Sequence, residues 1–169
     1  MQTTRVAISG NLIDLSIGHP SLSLLPLKIM QKAAENCLNQ GCGLNPFTSA
    51  LVRGALESGL QVEHLERLRA IYRERMVAMR SVLSRELSGL LRFNEPRGGF
   101  FFWIALPEGV HAQDLLPKAQ EFKVSFMPGI RFSSCGGMGN YLRLSFSYYD
   151  PDVLQEGVRR LAQVLRTGL

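Results

Sequence analysis

Between Val62 and Leu87 the apolar residues Leu65, Leu68, Tyr72, Met76, Met79, Leu83 and Leu87 recur every three or four positions. A helix turns by about 100° per residue, so this spacing gathers them into one stripe and predicts a long amphipathic helix. It is the clearest element in the chain, and the other elements have to be arranged around it. The arginines from Arg67 to Arg92 are interleaved with Glu66, Glu74 and Glu86. That mixture fits the solvated face of the same helix, laced with internal ion pairs.

The net charge of +5 raises the question of an anionic partner. A nucleic-acid-binding stripe is usually more one-sided than these interleaved arginines and glutamates, so no nucleic-acid partner is expected. With 46% apolar and 20% charged residues, the 169-residue chain reads as one soluble domain, or a domain with an appended arm. No apolar run reaches the length of a membrane span, and the segment Met1 to Val6 lacks the apolar core of a secretory signal. Three cysteines give no disulfide framework. Cys37 and Cys42 are close in sequence, but no histidine is spaced to join them, so no metal site is expected. A reducing, cytoplasmic setting fits best.

A short apolar run from Leu12 to Leu15 leads into the turn Ser16-Ile17-Gly18-His19-Pro20. Behind Pro26 the spacing predicts a helix over Leu27 to Leu38, broken by Gln40-Gly41-Cys42-Gly43. Asn45 as N-cap and Pro46 at the first position open another, which Gly59 stops. Leu90 to Asn94 and Phe100 to Leu106 read as two strands. Alternation places Phe100, Phe102, Ile104 and Leu106 on one face and Phe101, Trp103 and Ala105 on the other, with both faces open to being covered.

Ala112 to Phe122 should be helical, with Pro117 delaying or kinking it. Lys123 to Met127 and Tyr141 to Ser147 are two further strands. Asp150-Pro151-Asp152 then opens a last helix with the buried stripe Leu154, Val158, Leu161 and Leu165. The expected fold class is α+β: a small antiparallel or mixed sheet with helices on one face, preceded by the long amphipathic helix.

Arg143 is the one charge in the apolar, aromatic strand Tyr141 to Ser147. Removing a guanidinium from water is costly unless an anion takes up its fork of donors. Arg143 therefore asks for an internal Glu or Asp, for a bound anion, or for the solvated face of an edge strand. Gly-rich turns at Arg97-Gly98-Gly99 and Cys135-Gly136-Gly137-Met138-Gly139 would allow backbone to approach a ligand closely.

Several of these stretches together resemble a known family. Leu15-Ser16-Ile17-Gly18-His19-Pro20 with Leu25-Pro26 is similar to the N-terminal arm of class I/II aminotransferases, pyridoxal-phosphate enzymes of fold type I. Pro96-Arg97-Gly98-Gly99-Phe100-Phe101-Phe102-Trp103, Met127-Pro128-Gly129 and Asn140-Tyr141-Leu142-Arg143-Leu144-Ser145-Phe146 resemble their C-terminal small domain. Gly43-Leu44-Asn45-Pro46-Phe47-Thr48-Ser49 points to the 2-aminoadipate-type branch. The resemblance implies residues 1–40 as the arm of the small domain, 41–60 as the end of the large domain, and 61–169 as the interdomain helix with the small domain.

In such enzymes most of the cofactor-binding large domain separates the arm from the Gly-Leu-Asn-Pro segment, whereas here they abut at about Gln40/Gly41. None of Lys28, Lys32, Lys118 and Lys123 has the family's Ser-Lys context for the lysine that holds the cofactor. The resemblance therefore implies pyridoxal phosphate for the family, but no cofactor-binding or catalytic residue in this chain and no transamination by it alone. It implies substrate-binding roles for Arg143, as the grip on the α-carboxylate of an amino acid or 2-oxo acid, for Gly18 in the arm, and for Asn45 in a loop reaching a neighbouring subunit. The plain alternatives are a turn glycine at Gly18 and a helix cap at Asn45.

Two other classes stay open. One is an interaction or regulatory fragment that forms a homo- or hetero-oligomer, for example with a full-length relative, through the surface the large domain would cover. The other is an RNA-binding module, since Arg97-Gly98-Gly99-Phe100-Phe101-Phe102 faintly resembles a basic-Gly-aromatic recognition strand, though without its usual aromatic after the first glycine.

Overall fold

The computed structural model describes residues 11–38, 44–89 and 91–168. Its helices are α1 (Leu27–Leu38), α2 (Leu44–Glu57), α3 (Leu60–Leu87), α4 (Leu116–Glu121) and α5 (Pro151–Gly168). The strands are β1 (Ile13–Asp14), β2 (Arg92–Phe93), β3 (Phe101–Ala105), β4 (Val124–Ser125), β5 (Met127–Pro128) and β6 (Tyr141–Ser145). Two compact units result, one from the described parts of Met1–His19 and Glu74–Leu169, the other from Pro20–Arg73. The first is the expected α+β arrangement.

Its main sheet is antiparallel in the order β2-β3-β6-β5, with Trp103 opposite Arg143 and Met127 opposite Arg143 on the far side. Alternation works as read. Phe102, Ile104 and Leu106 of β3 and its end, with Leu142, Leu144 and Phe146, bury one face. Met79, Val82, Leu83 and Leu87 of α3 and Leu154, Val158, Leu161 and Leu165 of α5 are equally buried and complete the core. The Phe102 ring meets Phe93 and Phe146 edge-on at 5.9 and 5.8 Å, the favoured geometry for aromatic pairs. The opposite face is less covered than an all-buried strand would be: Phe101, Trp103 and Ala105 are half-buried.

The strand expected over Lys123 to Met127 breaks at the buried Phe126 into β4 and β5. The arm is the physical reason. β1 pairs in parallel with β4, Leu15 N–H donates to the Ser125 carbonyl at 2.9 Å, and the Ser145 N–H donates to the Leu15 carbonyl at 2.7 Å. The chain at Leu15 thus wedges between β4 and the end of β6, and only β5 reaches β6 directly. Gly157 makes room beneath: a Cβ there would lie 2.8 Å from Ile13 Cγ2. Residues 11–19 dock as expected of the arm, but residues 20–38 group with the second unit rather than with the strands.

Other departures are local. β2 is confined to Arg92–Phe93, and the Ala112–Phe122 segment begins as a 3-10 turn, Ala112–Leu115, before α4. That places Pro117 in the first turn of α4, where its missing N–H costs nothing. α1 has the expected bounds, while α2 starts at Leu44, so Asn45 falls inside its first turn rather than before it. The Asn45 side chain, like Cys37 and Cys42, lies outside the described residues. Gly59, at φ 70°, ends α2 as expected.

In the unit Pro20–Arg73, α1 packs on α2, where Gly54 faces Ala33. The first half of α3 belongs to this unit, and there the predicted stripe is not buried: Leu65 is 39% exposed.

One arginine of α3 departs from the solvated-face reading. Arg75 is 3% exposed, its Nη1 donating to the Ser147 carbonyl at 2.6 Å and its Nη2 to Asp150 Oδ1 at 2.8 Å. Asp150 therefore spends its carboxylate on α3, while its carbonyl accepts the Leu154 N–H at the start of α5.

Candidate functional site

Arg143 sits in the middle of β6, and the register sets its side chain on the half-buried face beside Phe101 and Trp103. The guanidinium carbon lies 4.0 Å from the centroid of the Phe101 ring and 4.5 Å from that of Phe132. Two π-faces bracket the cation. Phe132 stands on the short turn Gly129–Phe132 after β5 and meets Trp103 edge-on at 5.2 Å.

The third side is backbone. Asp14 Oδ1 accepts the Ser16 N–H at 2.9 Å, and this Asx-type turn swings the chain past β6. The Ser16 carbonyl then accepts from Arg143 Nη2 at 3.3 Å, a long bond. Gly18 follows, so close that an added Cβ would lie 3.0 Å from Phe101 Cζ and 3.7 Å from Arg143 Nη2.

What Arg143 lacks is an anion. Among the described residues Arg75, Arg80, Arg85, Arg159, Arg160 and Arg166 form ion pairs with Asp or Glu, and of the arginines that form none Arg143 alone is not exposed. Its Nε is buried without a hydrogen-bond partner. Burial pulls the guanidinium pKa below its ordinary value, with no opposing carboxylate to restore it. The group remains a cation at any ordinary pH. Of the three sequence-level options for Arg143, the internal carboxylate is not realised among the described residues.

The structure brings Arg143 and Gly18 together. It leaves Asn45 in the other unit, with its side chain undescribed. In the Gly-rich turns Gly99 and Gly136 take φ 77° and 74° with open space where a Cβ would be, so conformation requires them, whereas a Cβ at Gly139 would lie 2.8 Å from His111 Nδ1. Backbone also approaches closely at Gly129, before Phe132. Sequence reasoning missed Phe101 and Phe132 as walls of the site. Phe101 could have been found from the two-residue alternation had the register been known, whereas Phe132 lies in an irregular turn that carries no periodic signal.

Lys28 and Lys32 are exposed on α1, Lys118 donates to the Thr167 carbonyl, and Lys123 occupies a left-handed position (φ 57°) before β4. Among the described residues no three His, Cys, Asp or Glu side chains gather to hold a metal, and no helix is long and apolar enough to cross a membrane.

No family model matches the chain. It is 36% identical over 165 residues to a 2-aminoadipate transaminase of Thermus thermophilus, covering 96% of this chain and 39% of that one. It is 28% identical to an aromatic-amino-acid aminotransferase of Thermococcus litoralis over 83% of this chain and 32% of the relative. Among solved structures, an alpha-aminoadipate aminotransferase of Thermus thermophilus superposes with a TM-score of 0.66 at 41% identity, over 72% of this chain and 31% of that one. The kynurenine aminotransferase of Pyrococcus horikoshii does so at 0.70 and 30% identity, over 74% and 31%. The chain thus spans about two fifths or less of the relatives it matches.

Proposed function

Since this chain is homologous to part of a pyridoxal-phosphate-dependent aminotransferase, we propose that it forms the carboxylate-gripping part of an amino-transfer site. Arg143 holds the α-carboxylate of an amino acid or its 2-oxo acid by two parallel N–H···O bonds, and the arm around Gly18 walls that position. The observation that carries this reading is the half-buried cation left without an anion, where the other described arginines without an ion pair are exposed. Phe101 and Trp103, the rings a nucleic-acid surface would offer, are instead engaged with Arg143 and Phe132.

The residues described do not fit the cofactor. The groups against the guanidinium are the Ser16 carbonyl, two phenyl rings and Gly18, and each of the four lysines is exposed or already bonded. Pyridoxal phosphate supplies the electron sink of amino transfer when an enzyme of this family binds it. Transamination then requires the remainder of an aminotransferase, from a longer chain or from a partner chain. Mixed with the cofactor and treated with borohydride, this 169-residue chain should show no stoichiometric adduct on one lysine and no turnover. A single modified lysine together with measurable transamination would refute that expectation.

The grip itself is tested by replacing Arg143 with Leu. Pyruvate should perturb the Arg143 side-chain resonances of the wild-type chain, and the variant should lose the binding. Its stability should change by less than about 1 kcal/mol, since no buried carboxylate is stranded and a costly desolvated cation is removed along with its ring contacts. Urea unfolding decides the point. A loss of roughly 3 kcal/mol or more is the signature of a structural ion pair and would count against the reading.

A further inference from the structure

Ser147 lies two residues beyond the end of β6 and is fully buried. Its hydroxyl is 3.0 Å from the His19 carbonyl, 3.3 Å from the Ile17 carbonyl and 3.0 Å from the Ser145 hydroxyl. A hydroxyl has one proton to donate. The two arm carbonyls therefore share it, and the Ser145 hydroxyl can donate in return. Between those carbonyls stands Gly18, the residue packed against Phe101 and within reach of Arg143. Just before them comes the Ser16 carbonyl that takes up Arg143 Nη2.

The arm is thus tied at both ends of its passage over the cation. Leu15 is held by the Ser145 N–H at 2.7 Å, and Ile17 and His19 by Ser147. The tie has a firm base, because the Ser147 carbonyl accepts from the buried Arg75.

We propose that Ser147 is a positioning residue for anion binding at Arg143. Its hydroxyl fixes the arm from Ser16 to His19 so that the Ser16 carbonyl engages Arg143 Nη2 weakly and leaves the remaining donors to a carboxylate. Without the hydroxyl the arm backbone is free to settle on the guanidinium as a competing acceptor, or to swing away and expose it to water. Either change weakens the grip. The proposal rests on the reading of Arg143 as a carboxylate site.

The test is a pyruvate titration of the full 169-residue chain, followed through the Arg143 Nε–Hε resonance. Ser147→Ala should weaken binding about tenfold, equivalent to about 1.4 kcal/mol and to one lost hydrogen bond. It should also shift the ligand-free Arg143 resonance. Ser147→Thr, which keeps the hydroxyl, should restore binding to within about threefold of wild type, a gap of under 1 kcal/mol. Wild-type affinity in Ser147→Ala overturns the positioning role and leaves the Arg143 site standing. Weak binding by Ser147→Thr, or loss of the folded spectrum in Ser147→Ala, assigns the hydroxyl a structural role and overturns it as well. No pyruvate binding by the wild type removes both readings.

Discussion

Adding a methyl group at Gly129 should cost about 3 kcal/mol or more of folding free energy, at the upper end of overpacking effects. An ideal Cβ there would fall 2.6 Å from the Met138 carbonyl oxygen, 2.8 Å from Tyr141 Cβ and 2.9 Å from the Tyr141 carbonyl oxygen. Two of these are backbone atoms, so no rotamer change relieves the overlap. The Tyr141 N–H also donates to the Met138 carbonyl at 3.1 Å, which ties the crowded atoms to one another. The turn from Gly129 carries Phe132 onto Arg143, so Gly129→Ala should also move the Arg143 side-chain resonances. Urea midpoints within about 0.5 kcal/mol of wild type, a typical surface effect, would show that the turn opens freely.

Arg75→Ala should be the second costly change, at roughly 2–4 kcal/mol. The reason is not the ion pair as such. Asp150 is 82% exposed and returns to water when the arginine is removed, so no carboxylate is stranded. The stranded group is the Ser147 carbonyl, which loses its 2.6 Å donor in a buried setting, and the arginine stem leaves a void beside it. Arg75→Met fills much of that void, while both variants remove a desolvated Nε that has no partner. It should therefore cost about half as much as Arg75→Ala. Equal losses in the two variants would place the energy in the hydrogen bond alone; a negligible loss in Arg75→Ala would remove Arg75 as a pin.

These two residues mark where sequence pattern stops being informative. The α5 stripe, the bounds of α1 and the faces of β3 follow from periodicities of 3.6 and 2, which are local properties of the chain. The fold class follows from their order. Arg75 is invisible to that reasoning because it sits among charged neighbours on a helix. What buries it is a carbonyl 72 positions away. Phe126 is similar: nothing around it breaks a strand, and the kink comes from the arm entering between β4 and β6. Arg143 was legible because a charge interrupts an apolar alternation. Its brackets were not, since Phe101 depends on register and Phe132 on an irregular turn.

The wedged arm also sets an order of events during synthesis. Ile17 and Ser147 meet across 130 positions, with the compact unit Pro20–Arg73 lying between them in the chain. A ribosome adding 5–20 residues per second needs on the order of ten seconds to make that stretch. Until β4 emerges β1 has no edge to pair with, whereas Pro20–Arg73 is complete in sequence well before then. Closing so long a loop before any contact rewards it makes the docking of β1 intrinsically slow. A segment made early is placed late, and the wall beside Arg143 can form only once β6 has emerged.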